Sequence, residues 1–163
     1  MKLSEKEITH RMEEIDEILN RYGIGELLVL SAMQVKKKHT KMCAQVIKEQ
    51  PLNQNEVDIL LFLKQHREVD TAAEIAKYRC VSKSQICKSV DDLTRQGYLI
   101  VIPDEKDRRY QHLSLSEKGN QILIELEEVR KVFLSKLENG ITGEERKMFQ
   151  SVIKKIRQNV MDL

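Results

Sequence analysis

A mainly α-helical chain carrying one small β-hairpin is what this sequence predicts, and three observations predict it. Residues 71–96 hold two capped helical patterns separated by a tight turn, and residues 98–115 hold two short β-rich runs around a charged loop. Amphipathic helical patterns occupy both ends of the chain. Helix, turn, helix and hairpin in that order make a winged helix-turn-helix, so the predicted fold class is mainly α with a small β-wing, flanked by N- and C-terminal dimerisation helices.

Ser4 opens a Ser-x-x-Glu capping box with Glu7, and Ile8, Met12, Ile15, Ile18 and Leu19 follow at helical spacing, which predicts a helix over about 5–21. The run Tyr22-Gly23-Ile24-Gly25 interrupts it, because two glycines so close weaken a helix. Leu28, Val35 and Met42, with Leu27, Val46 and Ile47 beside them, predict a long helix over 26–49. It ends before Pro51, whose ring pushes the preceding residue out of the helical region. Asn53 with Glu56 signals the next start, and Val57, Leu60 and Leu61 support a helix over 54–66. Thr71 with Glu74 caps a short helix over 72–78, and Ser82 with Gln85 caps another that runs to about 96.

Residues 98–102 and 109–115 are rich in β-branched and apolar side chains and read as two strands, separated by a polar loop that begins at Pro103. Leu99 and Val101 share one face, as Leu113 and Leu115 do on the partner strand. Beyond Ser116, the residues Ile122, Leu126, Val129, Phe133 and Leu137 form one helical stripe, which Asn139-Gly140 stops. Thr142 with Glu145 caps a last helix carrying Met148, Val152, Ile153 and Ile156. Residues 1–50 are thus N-terminal helices, 51–116 a winged region and 117–163 C-terminal helices, within a single integrated domain. Helices at both ends of so small a chain have too little of it to cover them, and a second copy in a two-fold homodimer is expected to complete their burial.

A length of 163 residues with 40% hydrophobic and 33% charged side chains suits one helix-rich domain. Aromatic content of 4% argues against the stacking platforms of single-strand binders. No apolar run approaches eighteen residues and no basic-then-apolar stretch opens the chain, so no membrane association is expected and a cytoplasmic location is. Cys43, Cys80 and Cys87 are odd in number and at no metal-ligand spacing, which suits free thiols in a reducing compartment. His10, His39, His66 and His112 show no paired spacing, so no metal site is expected. With no phosphate-cradling glycine loop, nucleophile elbow or convergent carboxylate pair, neither an enzyme nor a cofactor is expected.

The net charge is +2, and residues 81–110 carry six basic against five acidic side chains, so any affinity for duplex DNA must come from where charges sit. On a helical wheel Ile86, Val90 and Leu93 cluster inward, while Ser84, Lys88 and Arg95 fall nearly opposite with Gln85 and Asp91 beside them. A hydroxyl, an amide and an ammonium on one outward face are the groups that read base edges and hold phosphates. Lys83 and Lys88 each suit a phosphate or a guanine contact. The DNA-binding candidates are Lys83, Ser84, Gln85, Lys88, Arg108 and Arg109, together with the two capping residues Thr71 and Ser82. The loop over 103–109 carries Asp104, Glu105 and Asp107, which would repel DNA unless some of them brace the arginines. An arginine at a hairpin tip can enter a narrowed A·T-rich minor groove.

Residues 82–119, SKSQICKSVDDLTRQGYLIVIPDEKDRRYQHLSLSEKG, resemble the recognition helix and wing of the MarR family of bacterial transcriptional regulators. The matching residues are Asp104, Asp107, Arg108 and Arg109 in the wing, then Leu115, Ser116 and Gly119, and a weaker similarity extends over about 26–160. The resemblance implies a homodimer with helices from both termini at its interface, bound to a pseudo-palindromic operator, usually as a repressor released by a small-molecule effector or by thiol oxidation. It further implies that Arg108 occupies the minor-groove tip and that Arg109 pairs with Asp91 to hold the wing against the recognition helix. Ser84, Gln85 and Lys88 would then face the major groove. Asp91, Asp104 and Asp107 are accordingly the expected structural supports of the wing.

This chain departs from that pattern in two places. Residues 1–22 precede the point at which similar chains begin their first long helix, and Cys87 stands where they often carry a serine or threonine. Oxidation of Cys80 or Cys87 would alter the helix-turn-helix directly, so a thiol-based redox-sensing regulator is one alternative. A winged-helix protein-interaction module is another, and a non-specific architectural DNA binder is a third.

Overall fold

A computed structural model describes residues 5–162, with the side chain of His10 and those from Met12 onward. Ser4, and the side chains of Glu7 and Ile8 from the first capping pattern, lie outside the described residues. The order along the chain is α1 (Glu5–Arg21), α2 (Ile24–Val46), α3 (Gln54–Gln65), α4 (Ala72–Arg79), α5 (Lys83–Arg95), β1 (Leu99–Pro103), β2 (Gln111–Leu115), α6 (Glu117–Leu137) and α7 (Gly143–Met161). The predicted class, mainly helical with a small wing, is the observed one. The chain divides into two compact units, one ending at Ile59 and the other beginning at Leu60.

In the first unit α2 begins two residues earlier than its pattern predicts. Gly23 adopts an extended conformation and serves as the N-cap, which leaves Gly25 inside the first turn. The helix also ends three residues early, at Val46. Ile47 leaves helical geometry, and the Gln50 N–H donates to the Ile47 carbonyl at 2.9 Å in a turn ahead of Pro51. Asn53 and Glu56 form the expected reciprocal cap: the Asn53 N–H donates to Glu56 Oε2 at 2.8 Å, and the Glu56 N–H to Asn53 Oδ1 at 3.1 Å. Cys43, Val57 and Ile59 are fully buried.

The second unit contains the helix-turn-helix and its wing. Its core gathers Leu60, Ile75, Ile86, Leu93, Leu123 and Leu126, each fully buried, together with Tyr98 and Leu99. Burying one such aliphatic side chain is worth about 1.5–3 kcal/mol. Thr71 and Glu74 close a full capping box on α4, and the Ser82 hydroxyl accepts from the Gln85 N–H on α5. Between them Cys80 takes the left-handed conformation at φ 53°, letting the Val81 N–H reach back to the Ala76 carbonyl at 3.1 Å. A non-glycine residue held there costs roughly 1–2 kcal/mol.

The hairpin pairs antiparallel with Leu99 opposite Leu115 and Val101 opposite Leu113, so these four share the inner face as expected. Its strands differ from the predicted spans for local reasons. Tyr98 is taken by the end of α5, its N–H donating to the Leu93 carbonyl at 2.9 Å past Gly97 at φ 78°. Arg109 and Tyr110 belong to the loop, where the Tyr110 N–H bonds the Asp107 carbonyl and the Asp104 N–H bonds the Tyr110 carbonyl.

Where β2 meets α6, four residues form a joint. The Ser116 N–H donates to the Tyr98 carbonyl at 3.1 Å, its hydroxyl donates to the Gly97 carbonyl at 2.6 Å, and that same hydroxyl oxygen accepts from the Gly119 N–H at 3.0 Å. Gly119 is buried against Tyr98, and a Cβ there would stand 2.3 Å from the Tyr98 carbonyl oxygen. Lys118 reinforces the joint, its Nζ donating to the Gln96 carbonyl at 2.9 Å and lying 4.1 Å from the centre of the Tyr98 ring. The helical stripe of α6 is buried at Ile122 and Leu126, while Leu137 is exposed, as is Met148 on α7.

Gly119→Ala forces backbone to move against backbone, so urea unfolding is expected to show a loss of at least roughly 1–3 kcal/mol. A cost within a few tenths of that for an exposed glycine such as Gly143 would show that the joint yields freely.

Candidate nucleic-acid interface

The recognition helix α5 divides as its sequence predicts. Ile86, Ser89, Val90 and Leu93 are buried, while Lys83, Ser84, Gln85, Lys88 and Asp91 are exposed. The first two turns of the exposed face therefore present two ammonium groups, a hydroxyl and an amide. The ammonium groups of Lys83 and Lys88 meet no carboxylate among the described residues. Ser84 Oγ lies 3.4 Å from Ser82 Oγ, which links the exposed face to the cap. Thr71 is committed to its own cap, with its hydroxyl donating to Glu74 Oε2 at 2.8 Å. Arg95, on the same helix, pairs with Asp92.

The wing loop is built by its acids. Asp104 Oδ1 accepts from the N–H groups of Lys106 and Asp107 at 2.9 and 2.8 Å, folding the loop over its side chain. Asp107 in turn holds Arg109: Nε lies 3.0 and 3.1 Å from the two carboxylate oxygens, a terminal nitrogen 2.7 Å from Oδ2, and the Arg109 N–H bonds Oδ1 at 3.0 Å. These bonds hold the Asp107 carboxyl below the usual carboxylate range. Asp104 is also lowered, first by the Asp107 N–H and then by His112. Arg108, between these braces, is exposed and meets no partner among the described residues.

One expected support is corrected. Arg109 is held by Asp107 and not by Asp91, which stays exposed on α5. The partner two residues away in the same turn needs almost no chain closure to reach it, whereas Asp91 lies in another element.

A residue that sequence reasoning passed over completes the wing. His112 Nδ1 lies 2.8 Å from Asp70 Oδ1, and Nε2 lies 3.2 Å from Asp104 Oδ2. The Leu113 N–H bonds the Asp70 backbone carbonyl at 2.7 Å, so side chain and backbone both tie β2 to the segment that enters α4. The strand alternation that buries Leu113 turns His112 outward, but nothing near it in the sequence points to Asp70, 42 residues away. A cavity of about 410 Å³ opens beside it, with Leu63, Ile102 and Leu115 as apolar lining and Lys64 and Arg67 as cations.

All three cysteines are free: Cys43 buried, Cys80 exposed, Cys87 half-buried. Burial pushes the Cys43 thiol up, and Asp58 adds to the shift. Among the described residues no group of three or more His, Cys, Asp or Glu side chains is arranged to hold a metal. Nor, among them, is any helix long and apolar enough to cross a membrane.

Comparison with known proteins agrees with this arrangement. A family model described as the MarR family matches residues 50–109, the segment containing α3, the helix-turn-helix and most of the wing. This segment is similar to the MarR family. The HTH-type transcriptional regulator Hpr of Bacillus cytotoxicus is 31% identical over 113 residues, and the match spans 66% of this chain and 60% of that protein. Among solved structures, transcriptional regulator PA3341 superposes with a TM-score of 0.74 at 23% identity, covering 86% of this chain and 100% of the other. The organohalide-sensing regulator RdhR-CbdbA1625, solved in its 2,4-dichlorophenol-bound form, superposes at 0.63 with 19% identity, covering 86% and 83%. These likenesses establish the MarR winged-helix fold.

The MarR motif residues thus acquire local roles: Asp104 and Asp107 fold the loop and hold Arg109, while Ser116 and Gly119 form the joint behind it. A double-mutant cycle by chemical denaturation is expected to show coupling between Asp107 and Arg109 and additivity between Asp91 and Arg109. The reverse pattern would restore the brace that the resemblance implied.

Proposed function

We propose that this chain is a dimeric, sequence-specific DNA-binding transcriptional regulator that recognises a pseudo-palindromic operator as a repressor. The observation that carries the reading is the outward set on α5 and the wing: Lys83, Ser84, Gln85 and Lys88 exposed on the recognition helix, and Arg108 left free where Arg109 is tied down. In this reading α5 enters the major groove, its side chains reading base edges and holding phosphates, and Arg108 enters the adjacent minor groove. The caps at Thr71 and Ser82 place the N-termini of α4 and α5 against the backbone. Repression follows from occupancy of the operator in a cytoplasmic protein.

A two-fold homodimer takes support from the apolar side chains that the chain leaves exposed. Met12, Ile15 and Leu19 are exposed on α1, and Met148, Phe149 and Met161 on α7. Apolar patches of this kind mark association surfaces. Release by a small-molecule effector is part of the proposal, supported by the cavity beside β2 and by the 2,4-dichlorophenol form of the related regulator.

Duplexes recovered by selection from a random pool test the reading. Affinity is expected to fall steeply with salt, the slope reporting the phosphates contacted at roughly 0.9 per contact. Arg108→Ala should weaken binding roughly tenfold while leaving the melting temperature unchanged, since its side chain supports nothing in the fold. Absence of duplex binding at low salt would sink the proposal and leave a protein-interaction module in its place. A dimer should protect half-sites about 34–36 Å apart.

A further inference from the structure

A neutral imidazole has one N–H and one lone pair, and it can donate to only one of two carboxylates placed at opposite nitrogens. His112 faces such a pair, with Asp70 Oδ1 at 2.8 Å from Nδ1 and Asp104 Oδ2 at 3.2 Å from Nε2. Neutral, it would turn a lone pair toward a carboxylate oxygen. As imidazolium it donates to both, in two charge-assisted bonds. The partners belong to different parts of the winged unit: Asp70 leads into α4, and Asp104 carries the wing loop on its other oxygen.

We propose that His112 is a positioning residue for DNA binding: as imidazolium it clamps the wing loop to the start of α4 and so holds Arg108 at the tip, and its deprotonation slackens the wing. The inference rests on the DNA-binding reading above and adds to it a dependence on pH.

The groups that face His112 set the direction. Asp70 and Asp104 favour the charged form, while Lys64 at the end of α3 and Arg67 in the turn beyond it line the same cavity and oppose it. Ser114 on its own strand, Ile102 on β1 and Asn120 on α6 bring no charge. The carboxylates are in direct contact and prevail, so His112 titrates above the ordinary 6.5, with the Asp70 hydrogen bond as the largest cause and the Asp104 bond next. A raised histidine contributes its docking fully below its ordinary range and loses it as pH rises through the higher folded value. Asp104, lowered below 3.8, keeps its charge until well into the acid range. The clamp is therefore closed from moderately acid to near-neutral pH and opens on the alkaline side.

The test uses full-length protein, a duplex recovered from the selection, and NMR titration of the His112 imidazole. Wild-type affinity between about pH 6 and pH 9 is expected to fall more steeply than that of His112→Gln, by up to about tenfold for each unit by which the imidazole is raised. His112→Arg, permanently charged and able to bridge two carboxylates, should hold affinity across the range. His112→Gln should resemble the wild type at alkaline pH throughout, with its melting temperature at that pH unchanged. Parallel pH profiles for wild type and His112→Gln, or an imidazole titrating at or below 6.5, would overturn the positioning role. A wild type that binds duplex with no pH dependence sinks this inference alone, whereas one that binds no duplex at any pH sinks the DNA-binding reading and this inference with it.

Discussion

The carbonyl oxygen of Tyr98 is the point from which the winged unit is laid out. It accepts the N–H of Ser116 at the close of β2 and lies so near Gly119 that α6 can start there only without a side chain at that position, while the N–H of the same residue closes the turn that leaves α5 on the Leu93 carbonyl. One residue thus sets three directions at once, through its N–H that of the recognition helix and through its carbonyl those of the hairpin and the helix that follows. The Ser116 hydroxyl closes the remaining gap by serving Gly97 and Gly119 together, which leaves neither of those backbone groups unpaired in a crowded corner. Because α5 and β2 are joined at their bases, the exposed face of the one and the loop of the other keep a set relation.

On that frame the acidic residues of the wing act as organisers of its cations. A nearly neutral stretch binds a polyanion poorly if its charges are free to mingle, since each arginine would find a nearby carboxylate. Here two acids are committed, Asp104 to backbone N–H groups and Asp107 to Arg109, and Arg108 keeps its charge for another partner. Net charge is therefore a poor guide to the electrostatics of this loop; which carboxylate reaches which donor decides it.

What the sequence makes legible follows the range of the interaction. Caps within three residues, such as Thr71 with Glu74 and Thr142 with Glu145, and strand alternation around Leu113 are local, and both the elements and their inward faces appear where the patterns place them. Helix ends shift by two or three residues where a backbone conformation intervenes, as at Gly23 and Ile47. Contacts between distant segments are where reading along the chain fails. The resemblance assigns Asp91 to Arg109 although Asp107 stands nearer, and the bridge from His112 to Asp70 has no signature in periodicity or composition. The outward residues of α5 were visible because helical spacing determines them. The clamp beneath the wing was not, because only the fold brings its three members together.

The joint at Tyr98 also bears on the order in which the unit assembles. Its hydrogen bond from Ser116 to Gly97 spans 19 residues, while the clamp from His112 to Asp70 spans 42. Closing the longer loop costs about 0.7 kcal/mol more in chain entropy, and the shorter one also gains from burying Tyr98 and Leu99. On chain entropy the hairpin base is thus the easier contact to close and the clamp beneath the wing the costlier one.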